Sequence, residues 1–242
     1  MVGELIRNRI DAPGTSEQAW QDWPELRQLP IADVSGWSSA VIVAAHPDDE
    51  VLGAGGTIAL LAAAGVRLRI ILATDGEASH PGISDRAGLA RRRVCESLAA
   101  LGALEADAAE VIRLGLPDTG LQAREDDLTD ALAEFCGGFD VCLAPWEKDA
   151  HADHEAAGRA ARRAGGQVLT YPVWMWHWAA PDDERVPWDR GRRVPLPSGA
   201  AAAKRSAIQA FASQLTGPPD GEPVLPAGIV AHFTRAQEVF FQ

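Results

Sequence analysis

The chain has 242 residues and a formal net charge of -12; the length suits one large α/β domain, and the charge argues against nucleic acid or anionic lipid as a partner without a local basic patch. Hydrophobic residues make up 47% and charged residues 23%, the proportions of an ordinary globular enzyme. No run reaches the roughly 18 consecutive apolar residues of a membrane span, residues 1–14 lack the apolar centre of a signal peptide, and Cys95, Cys136 and Cys142 form no CxxC pair, so reduced core thiols in a cytoplasmic protein are expected.

Residues 1–36 carry no sustained period and hold Pro13, Pro24, Pro30, Trp20 and Trp23, which reads as an irregular arm packed on a domain spanning residues 37–242. From there the pattern alternates. Ala40 to Ala45 (AVIVAA) is a buried strand, and Gly53 to Ala64 continues as a helix that Gly65 caps. Arg67 to Ala73 is a second strand, followed by a helix over Arg86 to Leu101 with Leu89, Val94, Leu98 and Leu101 on one side. A third strand covers Glu110 to Leu114, a helix Asp126 to Cys136, a fourth strand Asp140 to Ala144, and a helix Asp153 to Ala164. Strands alternating with helices predict a Rossmann-like, three-layer α/β/α fold with a mainly parallel sheet, whose ligand site lies beyond the carboxyl ends of the strands. The polar clusters obey that rule: His46 to Glu50, Thr74 to Ser79, Leu116 to Gly120 and Pro145 to His154 each follow one of the four strands.

The first of these clusters is His46-Pro47-Asp48-Asp49-Glu50, ending a buried strand. A histidine and a carboxylate three residues apart on a tight turn reach one metal ion, and catalytic zinc takes three such ligands with one position left for water. Asp48 then has the chemistry of a general base; a solvated acidic turn capping the next helix is the competing explanation. The second cluster, His151-Ala152-Asp153-His154, opens a helix, so one histidine can ligate while the other faces substrate, and Asp153 can hold an imidazole in its tautomer. Asp153 as a helix cap is the plainer alternative. Gly53, Gly55 and Gly56 do not have the spacing of a dinucleotide-binding fingerprint.

Taken together, AHPDDEVLGAGG and HADHEAAGRAA resemble the LmbE/PIG-L family of metal-dependent deacetylases, which act on N-acetylglucosaminyl conjugates. Thr74-Asp75-Gly76-Glu77, the Arg93…Glu96 helix ending in Leu101-Gly102, Leu116-Pro117-Asp118, and Lys204…Ala207 followed by Ser213-Gln214 are similar to further family motifs, in the same order, from about Ser39 to Leu215. The resemblance implies His46, Asp49 and His154 as Zn²⁺ ligands, with Fe²⁺ or Co²⁺ compatible with the same set. It implies Asp48 as general base, and His151, oriented by Asp153, as the group that stabilises the oxyanion or protonates the leaving amine. The reaction it implies is hydrolysis of the N-acetyl group of an amino-sugar conjugate, releasing acetate. Two alternatives remain: the same chemistry on a thiol conjugate or acylated natural product, and a carbohydrate-binding protein without turnover. A small-molecule partner, with a homo-oligomer left open, completes this expectation.

Substrate contacts are expected from Glu77, Arg93 and Asp118 in the matching motifs. Arg93 and Glu96, three apart on a helix, have the spacing of a solvated surface pair. The tryptophan-rich segment Tyr171 to Arg192 lies outside the shared motifs. Read as a strand, it sets Trp174, Trp176 and Trp178 on one face, as stacking surfaces for a sugar or as buried packing. Trp174 and Trp176 are therefore carried as substrate-contact candidates. His80 and His177 are weaker candidates for the mouth of the site, and His232 is given no role.

Overall fold

The fold is described from a computed structural model, over residue 10 and residues 12–80, 82–217 and 222–242. Most of the first eleven residues of the predicted arm lie outside this set. Two short helices, α1 (Glu17–Gln21) and α2 (Glu25–Gln28), occupy the rest of that arm, each too short to show a period. Then follow β1 (Ser39–Ala44), α3 (Asp49–Ala63), β2 (Arg67–Thr74), α4 (Arg86–Ala103), β3 (Glu110–Leu116), α5 (Glu125–Cys136), β4 (Val141–Pro145), α6 (Ala152–Ala164) and β5 (Val168–Tyr171). The remainder is α7 (Met175–Trp178), β6 (Gly191–Pro195), α8 (Ser198–Ile208), α9 (Ala212–Leu215), α10 (Ala227–Ala231) and β7 (Gln237–Phe241).

The seven strands form one sheet in the order β3-β2-β1-β4-β5-β7-β6, parallel from β3 to β5, with β7 antiparallel to both β5 and β6. Each residue of β1 is buried because the sheet is covered on both faces. Alternate residues divide between two cores. Ala40, Ile42 and Ala44 face the side closed by α3, α8 and the tryptophans, whereas Val41, Val43 and Ala45 face α5 and α6. The predicted three-layer fold is the one observed. No helix among the described residues is long and apolar enough to cross a membrane.

The chain runs outward from β1 to β2 and β3, then returns to β4 on the other side of β1. The crevice of this doubly wound sheet therefore opens where the β1 and β4 loops meet. Both histidine motifs lie in those two loops. Close helix packing supports them: a Cβ on Gly158 of α6 would stand 2.4 Å from the carbonyl oxygen of Pro145 at the end of β4.

Four elements depart from expectation. The strand carrying the tryptophans ends at Tyr171, and Met175–Trp178 is a helical turn, so the alternating tryptophan face does not exist. Strands β6 and β7 were not anticipated, because GRRVP has no apolar alternation and QEVFF is short. Helix α3 begins at Asp49 rather than Gly53, which places Asp49 and Glu50 in its first turn, where the positive end of the helix dipole favours carboxylates.

Candidate active site

A cavity of about 250 Å³ opens at this crevice. His46, Asp48, Asp49, Asp118, His151 and His154 line one side.

Asp48 occupies the turn between β1 and α3 with φ at 141°, a backbone conformation that costs on the order of 1–3 kcal/mol for a residue with a side chain. Its surroundings hold it there. The Asp48 N–H donates to Glu50 Oε2 at 3.0 Å, and Ser97 donates to the other Glu50 oxygen at 2.6 Å. Arg93, 2% exposed, donates to Asp48 Oδ2 at 2.9 Å and to the Pro47 and Gly76 carbonyls at 2.8 and 3.0 Å. Gly76 is required at this place: its φ is positive, and a Cβ would stand 2.0 Å from the Arg93 guanidinium. The Asp48 side chain makes no capping hydrogen bond to α3, so the turn is not merely a cap. Burial pushes the Asp48 carboxyl up to about 6 against the opposing charge of Arg93, and pushes Glu50 up to about 7.

Asp49 stands between two imidazoles. Its Oδ2 is 3.4 Å from His46 Nδ1, and its Oδ1 is 3.2 Å from His154 Nε2. Two ligands at roughly 2.0–2.1 Å from a tetrahedral ion are ~3.3 Å apart, close to each of these separations, which involve different oxygens of Asp49. Ligand atoms of His46, His151 and His154 also lie within 4.8 Å of one another, as do those of His46, Asp118 and Asp153. The donors are nitrogen and carboxylate oxygen, the chemistry of a zinc, iron or cobalt site. Burial alone would lower both imidazoles, but the carboxylates around them reverse the sign: His154 is raised to about 9 and His46 well above its usual value.

Each ligand candidate is braced. Asp149, fully buried, meets His154 Nδ1 at 2.8 Å and accepts the N–H groups of Val173, Trp174 and Met175 at 2.9–3.0 Å. An acceptor held that way keeps the proton on His154 Nδ1 and leaves Nε2 facing Asp49. Asp149 was not singled out from the sequence; an isolated acid two residues before a histidine motif carries no spacing signal. Asp153 accepts the Thr119 and Leu121 N–H groups at 2.8 and 3.1 Å and lies 3.2 Å from His46 Nε2. It therefore orients His46 and the loop after β3, not His151 as expected, and it does not cap α6. His151 itself is the N-cap residue of α6, with its ring 4.6 Å from that of His154 and its buried Nδ1 without a partner. Burial, with the charges of His154 and His46, lowers it to about 3, so the ring is a neutral imidazole.

The other predicted contacts divide. Asp118 lies in the cavity, with Oδ1 3.2 Å from His46 Nε2 and Oδ2 accepting the Ala78 N–H at 2.7 Å. Burial would raise its carboxyl, yet His46 and that amide hold it down at about 2. Glu77 does not line the cavity; it accepts the Asp118 N–H at 3.0 Å and so fixes that turn. Trp174 lines the cavity beside Val173, Val224 and Leu225. Trp176 does not: it is 4% exposed and packs edge-on against Trp20 in the core, with ring centroids 5.1 Å apart. Arg93 and Glu96 do not pair with each other, because Arg93 reaches Asp48 while Glu96 accepts from Ser213. His177 is directed to the Ala12 carbonyl, and His232 pairs with Glu17.

A family model described as PIG-L: GlcNAc-PI de-N-acetylase matches residues 41–165. Among solved structures, the chain is similar to the conserved protein TT1542 from Thermus thermophilus, with 28% identity and TM-score 0.55, covering 74% of this chain and 80% of that one. It is similar to an N,N'-diacetylchitobiose deacetylase from Pyrococcus horikoshii, with 21% identity and TM-score 0.60, covering 87% and 83%. It is also similar to GalB, the 4-carboxy-2-hydroxymuconate hydratase from Pseudomonas putida, with 23% identity and TM-score 0.53, covering 73% and 80%. Deacetylases of teicoplanin and of the A40926 pseudoaglycone share the fold. A fold that serves both deacetylation and hydration does not settle activity, which rests on the site. No curated protein matches the chain.

Proposed function

This chain belongs to the PIG-L family, and from that premise we propose that it is a metal-dependent hydrolase that removes the N-acetyl group from an N-acetylglucosamine-type conjugate. The observation that carries the reading is Asp48: a buried carboxylate in a strained turn, gripped by Arg93, beside two imidazoles joined by Asp49. A binding protein has no use for a base held at such cost next to a metal site.

His46, Asp49 and His154 are the residues that would hold the ion. When bound, Zn²⁺, or Fe²⁺ or Co²⁺ in its place, supplies a Lewis acid that polarises the acetyl carbonyl and acidifies water. Asp48 takes the proton of the attacking water. His151, neutral and with an unpartnered nitrogen, hydrogen-bonds the developing oxyanion or relays to the departing nitrogen the proton that Asp48 took from water, so that water adds across the amide and acetate and a free amine leave. Asp149 and Asp153 orient His154 and His46. Arg93, Asp118 and Trp174 are the proposed substrate contacts; Glu77 acts through Asp118, and Trp176 through packing.

A second reading, an acylated natural product or thiol conjugate as substrate, draws on the apolar side of the cavity at Val173, Trp174, Val224 and Leu225. The experiment that separates the two is acetate release from N-acetylglucosaminides of varied aglycone, with Asp48→Ala protein as the blank. Release that requires Asp48 is expected. Metal-loaded protein that spares every sugar but cleaves an acylated thiol or natural-product amide favours the second reading.

A further inference from the structure

Five buried side-chain polar atoms among the described residues have no hydrogen-bond partner: Arg93 Nε, Glu147 Oε2, His151 Nδ1, Trp188 Nε1 and Gln214 Oε1. Arg93, His151 and Gln214 all line the one cavity. Buried polar groups are nearly always paired, so three such atoms around one cavity indicate groups reserved for a ligand. Arg93 and His151 already have roles above. Gln214 has none.

Its orientation is fixed by chemistry. The Ser213 N–H donates to Glu96 Oε1 at 2.8 Å and the Ser213 hydroxyl to Glu96 Oε2 at 2.6 Å, which commits both protons of Ser213 to one carboxylate. The hydroxyl oxygen can then only accept, and it does so from Gln214 Nε2 at 2.8 Å. The amide cannot flip without setting its oxygen against an oxygen that has no proton to give. Gln214 Oε1 is thus left as an acceptor in a residue that is 0% exposed, at the wall of the cavity. Helix α4 links the two sides: its Arg93 holds the Asp48 turn, and its Glu96, one helical turn on, holds the Ser213-Gln214 turn.

We propose that Gln214 is a substrate-recognition residue whose carbonyl oxygen accepts a hydrogen bond from a ring hydroxyl of the sugar, with Glu96 and Ser213 as its positioning residues. The inference rests on the amino-sugar reading above and narrows it to a polyhydroxylated ring that enters the cavity. Arg93 Nε–H is an unused donor on the same cavity, and a hydroxyl group supplies both an acceptor and a donor. A buried acceptor left unpaired selects against ligands that lack the donor.

The test compares the metal-loaded wild type with Gln214→Leu on methyl N-acetylglucosaminide and on analogues that each lack one ring hydroxyl. Deacetylation kinetics are read beside calorimetric binding of the same glycosides. Wild type is expected to lose about tenfold in kcat/KM on one monodeoxy analogue, chiefly through KM. Gln214→Leu is expected to lose about tenfold on the parent glycoside and nothing further on that analogue. Equal losses on every analogue, with thermal midpoint and metal content unchanged, overturn the Gln214 assignment while leaving the deacetylase reading intact. A wild type that neither binds nor cleaves any glycoside overturns both. Should Gln214→Leu fail to fold, Gln214→Met keeps the side-chain length, and the wild-type profile across the analogues remains decisive: a flat one refutes the proposal.

Discussion

The two sides of the cavity are built on different terms. The side formed by the loops after β1, β3 and β4 is charged and interlocked: Asp49 joins His46 to His154, Asp153 joins His46 to the Thr119 amide, and Arg93 clamps Asp48. The apolar part of the lining, Val173, Trp174, Val224 and Leu225, comes from chain after β5. Backbone strain follows the same division. Of the five non-glycine residues with positive φ among those described, Asp48, Thr119 and Ala150 sit in the charged side's loops and none in the apolar segments. Groups that move protons must be held to fractions of an ångström, and strain is tolerated there because several hydrogen bonds over-determine each position. Groups that only cover a ligand need shape alone. The first side should therefore govern kcat and metal binding, and the second KM.

The largest effect expected is from His154→Ala, which removes a proposed ligand and its Asp149 brace together. Metal affinity should fall by more than about a hundredfold, exceeding what loss of an outer partner costs, and activity with it. Full metal occupancy by elemental analysis would exclude His154 from the ligand set. Next is Asp48→Asn: kcat should drop by about 10²–10⁴ while metal content stays constant, and a variant with normal kcat would remove the base from the proposed reaction. Asp149→Asn keeps the size but weakens the hold on His154 and on three amides, so a loss of about 10–100-fold in metal affinity is expected by competition with a chelator. Trp174→Ala tests the other side. KM should rise about 2–10-fold, most for apolar aglycones, with kcat preserved; a comparable fall in kcat would erase the division drawn here.

The smallest effect on activity is expected behind the apolar side. Glu17 of α1 receives Arg235 at 2.5 Å and pairs with His232 at 2.8 Å, while Arg235 lies 4.1 Å from the Trp176 ring. Burial would raise the Glu17 carboxyl, but His232 and Arg235 lower it from 4.5 to about 2. A folded-state pKa below the unfolded one stabilises above pH 4.5, and that contribution disappears as the pH falls from there towards 2. Glu17→Gln should lower the thermal midpoint by about 5 °C at neutral pH and leave kcat unchanged, with the gap to wild type closing in acid. A gap that persists undiminished at low pH would show that charge is not what Glu17 contributes.

Much of the charged side was legible in the sequence, because β1 and β4 are short apolar runs and their polar residues follow at once, where a parallel sheet places its ligand site. His46, Asp48, Asp49, Asp118, His151 and His154 do converge on one cavity. What escaped was decided by tertiary contact. Asp149 owes its role to three amides some 24 residues further along the chain. Arg93 and Glu96 have the spacing of a surface pair, but α4 turns that face inward, and each finds a different partner. The alternating tryptophans suggested a strand, yet the amides of Val173 to Met175 turn to meet Asp149 and the chain coils into α7 instead. Strand β7 was hidden because its Glu238 is buried: it receives Lys204 at 2.6 Å, the Gly56 and Thr57 amides and the Thr57 hydroxyl, a pattern no period can reveal.

The place of β7 between β5 and β6 bears on how the protein is made. During synthesis the chain from β1 to β5 emerges in an order that lets each strand join a neighbour already present. Strand β6 differs: the earlier chain offers it only the bridge at Ile31, and its strand neighbour among the described residues is β7, translated some forty residues later. Until β7 arrives, β5 and β6 expose unpaired edges, and Lys204 waits without its carboxylate. Completion of the sheet on the ribosome is therefore tied to the translation of β7, and a nascent chain stalled before Gln237 would be the species most in need of a chaperone.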